Sequence, residues 1–422
     1  MSPVRGPDAL TAAWTAAADT VEAAAMLPEA VETMGDVDVG ETPAETVYRE
    51  NKLRLLRYEP LAERRHETPI LVVYALINRP YILDLQPDRS VVRRLLEEGF
   101  DVYLIDWGEP SALDGTLTLD DYVNRYIANC VDVVREESDV PAVNLLGYCM
   151  GGTMSAMYAA THPEKVRNLA LMAPSLYFED TGGLLETWGD GDYFRPAALS
   201  ETFGTVPASF FGSGFSLMDP LQNAVSKYVG LAENLDDEEF VANFARMERW
   251  LADGIGMPGE TYRQYLEDIY QGNRFYNDEL TLDGKPVPLS GLTMPVLQVL
   301  AEYDNLVPPT ASRPFNDVIP SDDTGTIEIA TGHIGLSVSR TAHEQLWPAV
   351  AEWFAERDAD THSLDDVDGI GPRYAERLRE AGIDTLDALV AADAADLAER
   401  ADVPRGRLED WMAQAADLAD GR

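Results

Sequence analysis

The fold is decided by residues 142–163, which read AVNLLGYCMGGTMSAMYAATHP. Residues 142–148 form a largely apolar run, which predicts a buried strand. The residues after Cys149 are mostly small and suited to a helix, which the His-Pro pair at the end of the stretch terminates. We therefore predict a sharp strand-to-helix turn with Cys149 at its tip, a position typical of a catalytic nucleophile.

Three glycines flank this turn. A nucleophile held there needs unusual backbone angles, so the residues two positions away must be small, and Gly147 and Gly151 supply that room. Gly152 allows the following helix to pack closely on the sheet. The start of the helix favours a thiolate at Cys149, because the helix dipole is positive there. The backbone N–H of Met150 is then directed at any oxyanion that forms.

Short apolar runs alternate with helix-like segments on both sides of the turn. The other runs fall at 69–77, 100–107, 166–176, 294–304 and 326–331. Strands that are apolar on both faces and alternate with helices predict a mostly parallel sheet with helices on both faces. Fold class is therefore α/β.

The chain divides into four regions by its pattern. Residues 177–292 are rich in glycine and aromatic residues and show no strand alternation, which predicts a helical cap inserted over the site. This insertion lies within a catalytic domain that we place at 45–357. An amphipathic N-terminal helical arm precedes it at 1–44. Past a linker near 357–363, residues 364–418 read as a small all-α domain of short helices.

Two residues are candidate partners of Cys149. Asp304 ends a strand run, and His333, alone among the five histidines, follows a strand and a glycine. The order nucleophile, acid, histidine is similar to that of the α/β-hydrolase fold, whose acid and base lie at the carboxyl edge of the sheet. We predict the triad Cys149, Asp304 and His333. Asp106 also ends a strand and is the alternative acid, whereas Cys130 falls inside a helix and is assigned to packing.

The second oxyanion donor is expected from the loop after the strand run at 69–77, at Ile77 or Asn78.

The choice of cysteine rather than serine as nucleophile also bears on the reaction. A thiolate exchanges readily with thioesters, and the acyl-enzyme that it forms is itself a thioester. This favours an acyltransferase over a hydrolase, although cysteine hydrolases with this fold remain an alternative.

Composition limits where the protein works. The chain has 32 basic and 74 acidic residues and a formal net charge of −42, and only four of its basic residues are lysines. Such a pattern is typical of proteins in concentrated salt, where a Debye length of about 3 Å screens self-repulsion. An ordinary acidic enzyme is the alternative. The same charge opposes binding to nucleic acid.

Two further absences concern compartment. Cys130 and Cys149 are the only cysteines, so no disulfide framework is expected. The N-terminal residues lack a basic segment followed by an apolar run, and no stretch of about 18 apolar residues occurs. We expect a cytoplasmic protein without a membrane span.

Five motifs together resemble a known family. They read VYALINRPYILDLQP, DVYLIDWG, LLGYCMGG, EYDNLVPP and GHIGL. In order and spacing they are similar to poly(3-hydroxyalkanoate) synthases, most closely to class III catalytic subunits, and the acidic composition is similar to their haloarchaeal branch. The resemblance covers roughly residues 45–357. One departure is Asn305, where the family often has histidine.

The resemblance implies a substrate and partners. Cys149 would take the acyl group of (R)-3-hydroxyacyl-CoA, and His333 would act as general base. Asp304 would orient or assist His333, or act on the substrate hydroxyl. The product would be a polyester granule, and no cofactor or metal is implied because the substrate brings and releases CoA. A second, non-catalytic synthase subunit is implied, in a homodimer or hetero-oligomer at the granule. Alternatives are a thioesterase or depolymerase, and a non-catalytic granule-associated binding protein.

The C-terminal region resembles a helix-hairpin-helix motif at residues 367–372, which read VDGIGP. In many proteins such hairpins bind DNA phosphates, and Arg373 and Arg377 lie beside this one. Residues 358–422 nevertheless carry a net charge of −10, from 17 acidic residues and seven arginines. We therefore favour protein docking or solubilisation over DNA contact.

Overall fold

A computed structural model describes residues 37–218, 227–358, 364, 367–383 and 386–420. The chain separates into two compact units, Met1–Ala349 and Val350–Arg422. Most of the predicted N-terminal arm lies outside the described residues. Residues 37–43 form no helix and Ala44 begins a strand, so the arm does not extend to residue 44 as a helix. The predicted linker is also largely outside the described residues.

The first unit is built around an eight-stranded sheet. In chain order its strands are β1 (Ala44–Glu50), β2 (Leu53–Tyr58), β3 (Ile70–Val73), β4 (Val102–Asp106), β5 (Val143–Tyr148), β6 (Val166–Met172), β7 (Val296–Ala301) and β8 (Thr324–Ile329). Outside this sheet, the described residues form three pairs of very short strands, each strand two or three residues long. They are Asp84–Gln86 with Arg89–Ser90, Thr205–Val206 with Met257–Pro258, and Thr281–Leu282 with Lys285–Pro286.

The strands follow the order β1-β2-β4-β3-β5-β6-β7-β8. β2 runs antiparallel to both β1 and β4, and all later pairs are parallel. Every residue of β3, β5 and β7 is buried, which explains why these strands read as largely apolar runs. The predicted mostly parallel sheet is confirmed. β1 and β2 had no counterpart among the predicted apolar runs.

Helices connect and cover these strands. The α-helices are α1 (Val91–Glu97), α2 (Ala128–Ser138), α3 (Met150–Thr161), α4 (Leu184–Gly189), α5 (Pro196–Phe203), α6 (Ala208–Met218), α7 (Lys227–Glu233), α8 (Glu238–Ala252), α9 (Gly259–Gln264), α10 (Gly335–Val338), α11 (Trp347–Glu356), α12 (Pro372–Glu380), α13 (Leu386–Ala391), α14 (Ala394–Arg400) and α15 (Arg405–Asp420). Wider, π-type turns extend three of them, at Asp121–Ile127, Tyr265–Gln271 and Ala342–Leu346. Short 3₁₀ turns occur at Pro80–Leu83, Ala112–Asp114, Pro163–Lys165, Leu289–Gly291, Pro309–Ala311 and Arg313–Asp317.

The segment between β6 and β7 carries helices α4 to α9. The sequence predicts no strands there, and this detail is wrong. Thr205–Val206 pairs with Met257–Pro258, which brings together the two ends of the segment that carries α6 to α8. We call residues 177–292, the predicted insertion, the cap.

The second unit has its own core. Leu378, Leu386 and Leu408 are fully buried there, together with Trp411 at 2% exposure. Gly369 has φ +93°, and an added Cβ would lie 3.1 Å from Trp411 Nε1. The hairpin therefore needs glycine at this position both for its backbone angle and for the close approach of the indole.

Candidate active site

Cys149 lies at the turn between β5 and α3. Its φ of 53° and ψ of −121° are unusual for a residue with a side chain. The turn is held by backbone hydrogen bonds. The Cys149 N–H donates to the Met172 carbonyl at 2.8 Å, and the Cys149 carbonyl accepts from the Gly152 N–H at 2.9 Å. The strained backbone that the sequence predicts is present, and its neighbours fix it.

The flanking glycines are required by close backbone approach. A Cβ on Gly147 would lie 2.5 Å from Gly152 Cα, and one on Gly151 would lie 2.1 Å from the Val73 carbonyl oxygen. Real Cβ atoms do not come that close to other heavy atoms. A Cβ on Gly152 would lie 3.2 Å from Pro174 Cβ, which is tight but less severe. The start of α3 can therefore sit against the end of β3 only with glycine at these positions.

Asp304 and His333 meet beyond the carboxyl ends of β7 and β8. The His333 Nδ1 and Asp304 Oδ2 atoms are 2.6 Å apart. The other carboxylate oxygen, Oδ1, accepts hydrogen bonds from the backbone N–H groups of Leu306 at 2.9 Å and Val307 at 2.8 Å. The Asp304 side chain has no exposed surface. Its orientation is therefore set by the loop, and it sets the orientation of the imidazole.

The imidazole of His333 is strongly influenced by its two acidic neighbours. Burial alone lowers its pKa, because it disfavours the charged ring. The charges of Asp304 and Cys149, and hydrogen bonds with both, outweigh burial and raise the pKa of His333 to about 10. All three predicted triad residues are thus brought together, with His333 in the middle.

Tyr148 is a site residue that the sequence did not reveal. Its hydroxyl donates to the His333 backbone carbonyl at 3.2 Å. Its ring stacks on the imidazole with ring centroids 5.3 Å apart. Tyr148, the residue before the nucleophile, therefore holds both the backbone and the ring of His333 in place. Because the two residues are 185 positions apart, no local pattern could have indicated this contact.

The alternative residues have other partners. Asp106 is paired with Arg54 and also accepts a hydrogen bond from the Gly108 N–H at 3.0 Å. Cys130 is fully buried inside α2. Burial, followed by the charge of Glu50, raises the pKa of the Cys130 thiol far above its ordinary value. It has the environment of a packing residue rather than of a nucleophile.

Met150, the first predicted oxyanion donor, and Ile77, one of the two residues predicted for the second, line one cavity. Met150 is the first residue of α3, and Ile77 lies in the loop after β3. The cavity has a volume of about 290 Å³, and aromatic side chains of the cap form much of its wall: Trp188, Phe194, Phe211, Tyr262, Tyr265 and Tyr270. A lining of this kind suits an uncharged, apolar ligand.

Neither a metal cluster nor a membrane span occurs among the residues that the structure describes. Within them, no three His, Cys, Asp or Glu side chains are grouped so that they could hold a metal ion. In the same described part of the chain, no helix is both long and apolar enough to cross a bilayer.

Sheet order, elbow and acid–base pair together define a class of protein. The family described as alpha/beta hydrolase fold matches residues 68–338. The chain therefore has the α/β-hydrolase fold. Over 73% of its length it is also similar to the crystal structure of Paleococcus ferrophilus monoacylglycerol lipase, all of which is covered, at 15% identity and a TM-score of 0.48.

More specific matches identify the family. The family described as poly-beta-hydroxybutyrate polymerase (PhaC) N-terminus matches residues 4–95. The family described as SAM-like helix-hairpin-helix tandem matches residues 362–417. The chain is 51% identical to the poly(3-hydroxyalkanoate) polymerase subunit PhaC of Haloferax mediterranei, over 96% of this chain and 97% of that protein. It is 53% identical to the same subunit of Haloarcula marismortui, over 94% and 95% of the two chains. The chain belongs to the PhaC family.

Proposed function

We propose that this enzyme is a poly(3-hydroxyalkanoate) synthase, an acyltransferase that joins (R)-3-hydroxyacyl units from CoA thioesters into a polyester and releases CoA. The observation that carries the proposal is a cysteine at a nucleophile elbow beside a His333–Asp304 pair. Its relatives named poly(3-hydroxyalkanoate) polymerase subunit PhaC support the choice of substrate.

The first half of the reaction loads the enzyme. The Cys149 thiolate attacks the thioester carbonyl, and the N–H groups of Met150 and Ile77 stabilise the negative charge on its oxygen. The carbon–sulfur bond to CoA then breaks. His333 gives its proton to the departing CoA thiolate, which leaves as the free thiol. The acyl group remains on Cys149 as a thioester.

The second half transfers the acyl group to an alcohol. His333, now neutral, takes the proton of a 3-hydroxyl group as its oxygen attacks the Cys149 thioester. An ester bond forms, the Cys149 thiolate leaves, and the Cys149–His333 pair returns to its starting state. Asp304 stabilises the protonated imidazole in both halves. The apolar cap limits access of water, which would otherwise release the acyl group as a free acid.

The proposal extends to partners and place. It involves no metal and no cofactor other than the CoA that the substrate carries. We propose a second, non-catalytic subunit, since the relatives are named as subunits. We also propose that the enzyme acts in the cytoplasm at polyester granules, as a homodimer or hetero-oligomer, without binding nucleic acid.

The test is CoA release from 3-hydroxybutyryl-CoA in molar KCl, with the product assayed for insoluble polyester. We expect both in the wild type, with the partner subunit added if it is required. Cys149→Ala should abolish both. Cys130→Ala is the matched control, because it removes a cysteine from a fully buried packing position.

The alternatives give different products. CoA release with only free 3-hydroxybutyrate, partner subunit present, would identify a thioesterase and contradict the proposal. A Cys149→Ala variant that still releases CoA would mean that the elbow is not the site of acyl transfer. Granule binding without any turnover would indicate a non-catalytic binding protein.

A further inference from the structure

The loop that carries Ile77 has an unusual backbone at the next residue. Asn78 has φ 64°, a left-handed conformation, and only 7% of its surface is exposed. Asparagine tolerates this region better than most residues, but a buried residue keeps such a conformation only where its neighbours enforce it. Whatever holds Asn78 therefore also restrains the position of the adjacent Ile77.

The C-terminal end of cap helix α8 contacts this loop at three points. The Trp250 indole Nε1–H donates to the Arg79 carbonyl at 2.8 Å, and Arg79 Nε–H donates in turn to the Asp253 carbonyl at 3.2 Å. The Tyr81 hydroxyl donates to Asp253 Oδ2 at 2.8 Å. These contacts connect residues more than 170 positions apart, so they are made only when α8 lies on the loop.

The contact is close, and its Trp250 end is buried. Trp250 is only 3% exposed. Its indole also neighbours the buried Tyr74 hydroxyl at the beginning of the same loop. A Cβ on Gly254 would lie 3.2 Å from Asn78 Oδ1, so the cap backbone passes directly beside the left-handed residue. Cap and loop therefore fit against each other on both sides of Asn78.

We propose that Trp250, Tyr81 and Asp253 are positioning residues that hold the oxyanion loop from the cap. This inference rests on the proposed function, in which the Ile77 N–H stabilises the oxyanion. The hydrogen bonds described above join these residues to the loop and not to Cys149. They act through the backbone of residues 77–79, so the oxyanion site is complete only while α8 is seated on the loop.

Two reactions of the same thiolate separate this role from a general structural one. Acylation by a CoA thioester passes through a tetrahedral oxyanion and needs both donors. Alkylation by iodoacetamide is a direct displacement at carbon, which needs the thiolate and His333 but no oxyanion donor. A displaced loop should therefore slow acylation and leave alkylation unchanged.

The experiment compares two variants with one control in the full-length protein. Tyr81→Phe removes the hydroxyl bond to Asp253, and Trp250→Phe removes the indole donor. Tyr228→Phe is the matched control, because the Tyr228 hydroxyl also donates to a cap carboxylate, Glu248 Oε2 at 3.0 Å, but not at the loop. We expect kcat for CoA release to fall about tenfold or more in the first two, with KM little changed. Tyr228→Phe should match the wild type.

Alkylation rates decide the interpretation. If they stay at the wild-type value while kcat falls, the positioning role is supported. A parallel fall in both rates would mean that the variants disturb Cys149 or His333 themselves, which contradicts the proposal. Unchanged kcat in Tyr81→Phe and Trp250→Phe also contradicts it. Failure of the proposed function would look different, because the wild type itself would then form no polyester.

Discussion

The behaviour of His333 with pH follows from the groups that face it. Its pKa of about 10 means that the imidazolium persists through neutral pH and is lost only as the pH rises through that value. A positive His333 favours a thiolate at Cys149. We therefore expect the alkylation rate of Cys149 by iodoacetamide to be nearly constant between about pH 7 and pH 9. The alkylation rate is measured at each pH by quenching the labelling reaction at successive times.

Asp304→Asn tests the cause of this plateau. It removes one of the charges that raise the pKa of His333, while burial, which lowers that pKa, remains. The pKa of His333 should fall, and a fall of one pH unit lowers the imidazolium-to-imidazole ratio about tenfold at any given pH. The alkylation rate should then be lower at neutral pH and rise with pH. A flat profile that matches the wild type would mean that Asp304 is not what raises the pKa of His333.

Gly151→Ala is expected to be severe for a purely steric reason. The new Cβ would lie 2.1 Å from the Val73 carbonyl oxygen and 2.7 Å from that of Tyr74, and both belong to backbone that cannot move aside cheaply. We expect a loss of at least about 2 kcal/mol in the free energy of unfolding. Gly212→Ala is the control. Gly212 lies in α6, and no neighbouring atom lies within 4 Å of a Cβ added there. It should be neutral or gain up to about 1 kcal/mol. Denaturant unfolding in molar KCl compares them.

Which site residues could be predicted depends on whether they leave a local pattern. Cys149 could be predicted because the flanking glycines and the strand before it mark the elbow. Asp304 and His333 could be predicted because each follows a strand. Tyr148 and Trp250 could not, since their roles come from contacts with distant residues. Their types and positions fit ordinary core packing equally well.

At the scale of elements, strands buried on both faces were predictable and the sheet's antiparallel edge was not. β3 and β5 read as largely apolar runs because helices and neighbouring strands exclude water from both sides. β1 and β2 read TVYRE and LRLLRY within their spans, with charges that suit a partly exposed edge. His343 is a second case: its stretch looks exposed, but it is buried and its Nε2 lies 2.7 Å from the Ser337 carbonyl.

The short strand Asp84–Gln86 depends on one carboxylate. Asp84 is 2% exposed and accepts hydrogen bonds from Thr42 N–H at 3.0 Å, Thr42 Oγ1 at 2.7 Å and Ser90 Oγ at 2.6 Å. Asp84→Ala would leave these buried donors without an acceptor. We expect a loss of about 3 kcal/mol in the free energy of unfolding, measured by denaturant unfolding. The control is Asp322→Ala, at an exposed aspartate, which should change the free energy of unfolding by less than about 0.5 kcal/mol. Equal effects would show that the cluster contributes little.

For the whole molecule, the two units pose separate questions. The fold of the second unit could be anticipated from its glycine hairpin, since Gly369 needs both a positive φ and room for Trp411. Its role could not, because a hairpin of this kind fits either a protein surface or a phosphate backbone. The net charge of −10 over residues 358–422 favours protein docking or solubilisation over DNA contact.

The charge of the whole chain leads to the last prediction. A net charge of −42 repels itself in the folded state, and the repulsion grows as the Debye length rises from about 3 Å in molar salt to about 30 Å in 0.01 M salt. We expect the unfolding temperature and CoA release to increase steeply with KCl. Sucrose at equal osmolality is the control, because it stabilises folded proteins by exclusion but does not screen charge. If sucrose replaces KCl fully, or if the enzyme is folded and active without added salt, the acidic composition is not an adaptation to salt. A response specific to KCl would mean that screening of these carboxylates is a condition for the fold.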